Sequence, residues 1–185
     1  MEVKEIMYFQ QLRRLGNYDV NPVAINLLDS WLAIQRKAIL KNLSPVSFSN
    51  QSNIDLELAI DMFSLSSKSN IGVLKPIFKP ICPICDNQNG FYSSLENVPN
   101  TSIICRHCGN EYIPSSRSDY IEIVFERCLE PEQPFVSESA REMFVVPGGN
   151  LGKVDSLRVS DIIKRPNNAR GHLLSKLDSS YEAAQ

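Results

Sequence analysis

Two histidines among 185 residues, a single tryptophan and no surplus of base over acid mark this chain by what it lacks; 19 Lys and Arg stand against 21 Asp and Glu. Each scarcity excludes something. His107 and His172 lie far apart, neither beside a recognisable partner, so histidine-based acid–base chemistry is not expected. A formal net charge of −2 offers little of the counterion release that drives avid nucleic-acid binding. The acidic excess falls in residues 121–150 and a small basic excess in 151–185. No apolar run approaches the ~20 residues a membrane helix needs. The opening MEVKEIMYFQQLRRLG lacks the basic start and unbroken apolar stretch of a signal peptide, so a cytoplasmic location is expected. Gly-x-Ser-x-Gly, Walker, Gly-x-Gly-x-x-Gly and His-Glu-x-x-His motifs are all missing. Glu122, Glu126 and Glu130 recur at even spacing, which fits a solvated strand face better than a paired acid–base site. A chain without a catalytic set is the expectation.

What is present begins with helical periodicity. Ile6, Phe9, Leu12 and Leu15 predict a helix over residues 3–15, stopped at Gly16. Asn21 as a cap and Pro22 at the first helical position open a second helix. Its stripe is Val23, Leu27, Trp31, Ile34 and Ala38, and it should end near Asn42. SPVSFSNQSN reads as a polar loop. A third helix over residues 54–65, capped by Ser52 or Asn53, presents Ile54, Leu58 and Met62 on one side and Asp55, Glu57 and Asp61 on its polar face.

The period then changes. IGVLKPIFKPIC is extended, and Pro76 and Pro80 confine it to an edge, a template for an added strand. YIEIVFERC alternates Ile121, Ile123 and Phe125 against Glu122, Val124 and Glu126, a strand with one buried face. Ser139 and Glu142 fit a capping box, and Pro147-Gly148-Gly149 is a sharp break. The fold class expected is α+β. A three-helix, winged-helix-like region (1–70) leads into a four-cysteine zinc ribbon with a short antiparallel sheet (71–128). A connector and partner-docking or flexible tail (129–185) follows.

Four of the five cysteines form two Cys-x-x-Cys pairs, Cys82/Cys85 and Cys105/Cys108, with nineteen residues between the pairs. Each pair can reach one metal from a single tight turn, and two such turns complete a tetrahedron of soft ligands. Gly109, Asp86 and Asn87 sit where left-handed backbone is tolerated, while Ile81 and Ile104 should pack the turns onto a small core. Neither pair precedes a helical pattern, which disfavours a thioredoxin-type redox site. Four thiolates leave no position for water, so a structural Zn2+ is expected. His107 should be exposed, His172 should lie on the surface, and Cys128 should be a buried thiol.

GVLKPIFKPICPIC, SLENVP, ICRHCGNEY and SDYIEIVFE together resemble a bacterial winged-helix/zinc-ribbon accessory module. It is similar to the region preceding the catalytic domain of some adenylate/guanylate cyclases and to small components of bacterial conflict systems. The resemblance spans residues 52–128 and implies Cys82, Cys85, Cys105 and Cys108 as metal ligands, with no catalytic residue. The expected function is a regulatory or adaptor protein that docks on a larger protein effector. DNA binding through a winged helix is the alternative. It is disfavoured because the carboxylates of helix 54–65 would face phosphates.

Overall fold

A computed structural model describes residues 7–132, 156–165 and 167–174. It is a mixed helix and sheet structure. After a 3-10 helix, Gln10–Tyr18, come α1 (Pro22–Ile34), α2 (Pro45–Ser52) and α3 (Leu56–Ser66). The strands follow: β1 (Leu74–Pro80), β2 (Ile103–Ile104), β3 (Glu111–Tyr112) and β4 (Ile121–Arg127). Two short helices, α4 (Val159–Ile163) and α5 (Gly171–Leu174), close the described chain.

The helices differ from the sequence expectation at their ends. Asn21 does cap α1, accepting from the Val23 N–H, with Pro22 in the first turn. The helix stops at Ile34, however, because Gln35 is extended and its Nε2 donates to the Trp31 carbonyl at 2.7 Å. The expected polar loop is α2. Ser44 accepts from Val46 N–H, Pro45 fills the first turn, and Phe48 is driven into the core. Asn53, in left-handed conformation at φ 50°, ends α2, and Asp55 rather than Ser52 or Asn53 caps α3. Of the helix expected over 3–15, residues 3–6 lie outside the described residues, and the rest is 3-10 rather than α, beginning at Gln10 and running through Gly16 to Tyr18. It is pinned by the buried Asp29, whose two carboxylate oxygens accept from the Tyr8 and Phe9 N–H groups at 2.8 Å each. Burial pushes the Asp29 carboxyl above the ordinary carboxylate range despite these donors.

β1 and β4 pair antiparallel, Leu74 opposite Arg127 through Pro80 opposite Ile121. The Phe78 N–H and C=O exchange hydrogen bonds with Tyr92 at 2.8 and 2.9 Å, away from β4. By alternation Pro76 and Pro80 face the same side, where no donor to β4 is missing. Asn89 N–H takes the Pro80 carbonyl at 2.8 Å. The edge expected to be an open template is therefore covered at Phe78 and Pro80 and cannot donate from either proline. The far edge of β4 is bonded to Leu43, Leu40 and Leu157.

One apolar core joins the helices to this sheet. Its centre is aromatic. Trp31 meets Phe48 and Phe63 at 5.4 and 5.9 Å, and Phe63 meets Phe125 at 5.3 Å. Ile121, Ile123 and Phe125 are buried as expected, but so is Val124 on the opposite face. Leu157, Val159, Ile162 and Leu173 belong to the same core, so these parts of the expected tail are packed. The clasp that holds them is polar. Arg170, only 1% exposed, bonds Asp61 Oδ1 at 2.5 Å and Glu57 Oε2 at 2.7 Å, and Asn167 Nδ2 donates to Asp61 at 2.9 Å. The expected capping box at Ser139 and Glu142 and the break at Pro147-Gly148-Gly149 lie outside the described residues.

Candidate metal centre

The two Cys-x-x-Cys segments fold as the same device used twice. In the first, Asp86 N–H donates to the Cys82 carbonyl at 3.0 Å, and Cys82 N–H donates to the Asn87 carbonyl at 2.9 Å. In the second, Gly109 N–H donates to the Cys105 carbonyl at 2.9 Å, and Cys105 N–H donates to the Asn110 carbonyl at 2.8 Å. Each turn closes on a residue at positive φ, Asp86 at 55° and Gly109 at 74°. Glycine adopts that conformation freely and aspartate tolerates it better than most residues. The β2–β3 ladder, Ile103 opposite Tyr112 and Ile104 opposite Glu111, carries the second turn, and the end of β1 carries the first.

These turns bring all four sulfurs within 4.8 Å of one another. Cys82 Sγ lies 3.5 Å from Cys108 Sγ, and Cys85 Sγ lies 3.6 Å from Cys105 Sγ. A disulfide would hold its sulfurs at ~2.05 Å. A tetrahedron with metal–sulfur bonds of ~2.3 Å has sulfur–sulfur edges of roughly 3.8 Å. The observed separations fit the second geometry, so Cys82, Cys85, Cys105 and Cys108 are a group that could hold a metal ion. Among the described residues no other cluster of three or more such groups occurs.

The electrostatics divide the sulfurs, favouring the thiolate at Cys82 and Cys105 and opposing it at Cys85. Burial opposes ionisation of Cys82, but the Ile84 and Cys85 amides outweigh it and hold its pKa below the ordinary thiol value. The Cys108 amide leads in holding Cys105 down to about 6. The Asn87 amide favours the Cys85 thiolate, yet burial and the neighbouring sulfurs push it up to about 12. Sulfurs this close cannot all ionise without a cation between them.

Cys82 and Cys105 are buried with Tyr112, Cys85 is half-buried and Cys108 is exposed. Ile81 is buried as expected, but Ile104 is 67% exposed because alternation along β2 turns Ile103 toward Tyr112 instead. His107 is exposed, as expected. Cys128 is exposed rather than buried, since it stands just beyond the end of β4. His172 is half-buried rather than on the surface, with Nε2 2.9 Å from Ser67 Oγ and Nδ1 3.1 Å from the Ala169 carbonyl. The Ser67 Oγ also stands 2.7 Å from the Ser64 carbonyl at the end of α3. Sequence reasoning missed Asn89, whose side chain reaches from the first turn to the second. A lone asparagine in a polar loop gives no spacing signal.

A cavity of about 360 Å3 lies between α1, α2 and β4, lined by Trp31, Gln35, Asn42, Gln51, Glu122 and neighbours, with no histidine or cysteine. Among the described residues no helix is long and apolar enough to cross a membrane. Comparison with protein-family models, with curated proteins and with solved structures finds no match for this chain.

Proposed function

We propose that the chain is a non-catalytic regulatory or adaptor protein, organised by structural zinc, that docks on a larger protein effector in the bacterial cytoplasm. The observation that carries the reading is the closed set of four sulfurs, which leaves no ligand position for water or substrate. Tetrahedral all-sulfur sites take zinc or iron, and zinc suits a site with a purely structural task. The sequence resemblance to accessory modules of cyclases and defence systems points the same way, to a signalling or defence assembly.

The distribution of exposed apolar groups supports a protein partner. Ile84, Phe91, Ile104 and Ile113, half of the eight large apolar side chains exposed among the described residues, lie within 84–113. Exposed apolar groups gathered on one module are typical of interaction surfaces. Winged-helix DNA binding remains the second reading, favoured by three helices before a sheet. Against it, Glu57 and Asp61 on α3 are acidic and already engaged by Arg165, Asn167 and Arg170.

The test is size-exclusion chromatography of the chain co-expressed with the products of its neighbouring genes, with metal content measured on the same peak. A stable complex carrying one zinc per chain, lost in Ile84→Lys with Phe91→Lys, is the expected result. Absence of a complex with every neighbour, or a gel shift of duplex DNA at low salt, would displace the adaptor reading.

A further inference from the structure

We infer that Asn89 is the positioning residue of the metal centre, a side-chain clamp that grips Cys105 and its neighbour Arg106 and governs how tightly the ion is kept. The inference rests on the four sulfurs binding a metal. Asn89 belongs to the loop that follows the first turn, and its backbone N–H is fixed to the Pro80 carbonyl at 2.8 Å. Its side chain crosses to the second turn. Oδ1 accepts the N–H of Arg106, the residue next to Cys105, at 3.2 Å. Nδ2 faces Cys105 Sγ at 3.6 Å, and it also reaches the Tyr112 hydroxyl at 3.1 Å and the Asn87 carbonyl at 3.0 Å. The backbone N–H of Arg106 can only donate, so the amide oxygen must face it and the NH2 group must face the sulfur.

This arrangement does what the turns cannot do for themselves. The local amides of each turn serve the sulfurs of that turn, whereas Asn89 ties the first turn to the second through one ligand. Its NH2 group faces the sulfur of Cys105, a residue only 1% exposed. A hydrogen bond to a thiolate favours the charged form that binds metal. The bland alternative is that Asn89 merely anchors its loop to Tyr112.

The two are separated by charge. Asn89→Asp keeps the shape and the acceptor for Arg106 N–H but sets a carboxylate against the sulfur. Asn89→Ala removes both contacts without adding charge. The full-length chain is stripped of metal, reconstituted with Co2+, and followed by the thiolate-to-cobalt absorption band. Zinc affinity is then read by competition with a chelator, and folding by circular dichroism of the loaded protein. The expected order is wild type, then Ala, then Asp, with Ala weaker by about 10-fold and Asp by about 100-fold. If Asn89→Ala fails to fold when loaded, Asn89→Ser takes its place in the series. Variants that stay within about twofold of wild type, or an Asp variant no weaker than Ala, overturn the inference while leaving the metal centre intact. A wild-type chain that shows no cobalt band removes the metal reading itself, and the inference with it.

Discussion

Replacing Arg170 by methionine should unfasten the C-terminal segment from α3 while keeping most of the buried volume. The guanidinium holds Asp61 Oδ1 at 2.5 Å, Glu57 Oε2 at 2.7 Å, the Glu57 carbonyl at 3.0 Å and the Arg165 carbonyl at 3.1 Å. The two carboxylates rehydrate readily, because the Glu57 and Asp61 side chains are 36% and 25% exposed. The two carbonyls lose their donors at about 1–3 kcal/mol each. Much of the gain from the charged contacts is offset in the native protein by the dehydration of the guanidinium. The net loss is then about 3 kcal/mol, the lower end of the range for breaking a buried ionic pair. That is a large share of the ~5–15 kcal/mol that holds a domain together. At about 2–4 °C per kcal/mol for a chain of this size, the thermal midpoint should fall by about 6–12 °C. Far-UV circular dichroism reads the midpoint, and hydrogen exchange reads the segment directly, with Ile162 and Leu173 losing protection first. A midpoint within about 1 °C of wild type, with exchange unchanged, would refute the role of Arg170 as the clasp of the C-terminal segment.

Further predictions concern the metal, acidity and the core. Cys105→Ser should lower metal content below one ion per chain and melt the region around the sulfurs, since metal binding supplies on the order of 10 kcal/mol of folding free energy in small zinc modules; a native midpoint in that variant would count against structural sulfur ligation. Burial opposes ionisation of Glu57, but the hydrogen bonds from Arg170 and Arg165 outweigh it and hold its pKa below the usual range. Its contribution is therefore present above its unfolded pKa and lost as pH falls through the lower folded value, so exchange of residues 156–174 should quicken below about pH 4 and Glu57→Gln should flatten that response. Burial and the nearby Lys68 lower the His172 pKa, so the fold prefers the neutral ring; stability should decline as pH falls below about 6.5, and a His172→Gln chain titrated with urea should lack that decline. Phe63→Ala, which empties the aromatic junction between Trp31, Phe48 and Phe125, should cost about 3–5 kcal/mol in urea unfolding, far more than Val23→Ala on the exposed face of α1.

Local signals were legible where the physics is local. Asn21 and Pro22 start α1 because a cap and a missing N–H act within one turn. Alternation in IEIVF marks β4 because side chains along a strand must point to opposite faces. The polar composition of SPVSFSNQSN hid α2, whose one decisive side chain, Phe48, matters only once Trp31 and Phe63 stand beside it. Cys128 and Ile104 were placed on the wrong side of the surface because exposure depends on what covers a strand end, not on residue type.

The spacing of the cysteines by itself determined the candidate ligand set, since two residues between thiols allow one turn to present both to a single ion. Tertiary structure decided which groups surround that set and where the C-terminal segment goes. Asn89 reaches Cys105, and Arg170 finds Glu57 and Asp61, across sixteen and more than a hundred residues of chain. Such partners share no period and no motif, and are chosen only when the packed core fixes the distances between them.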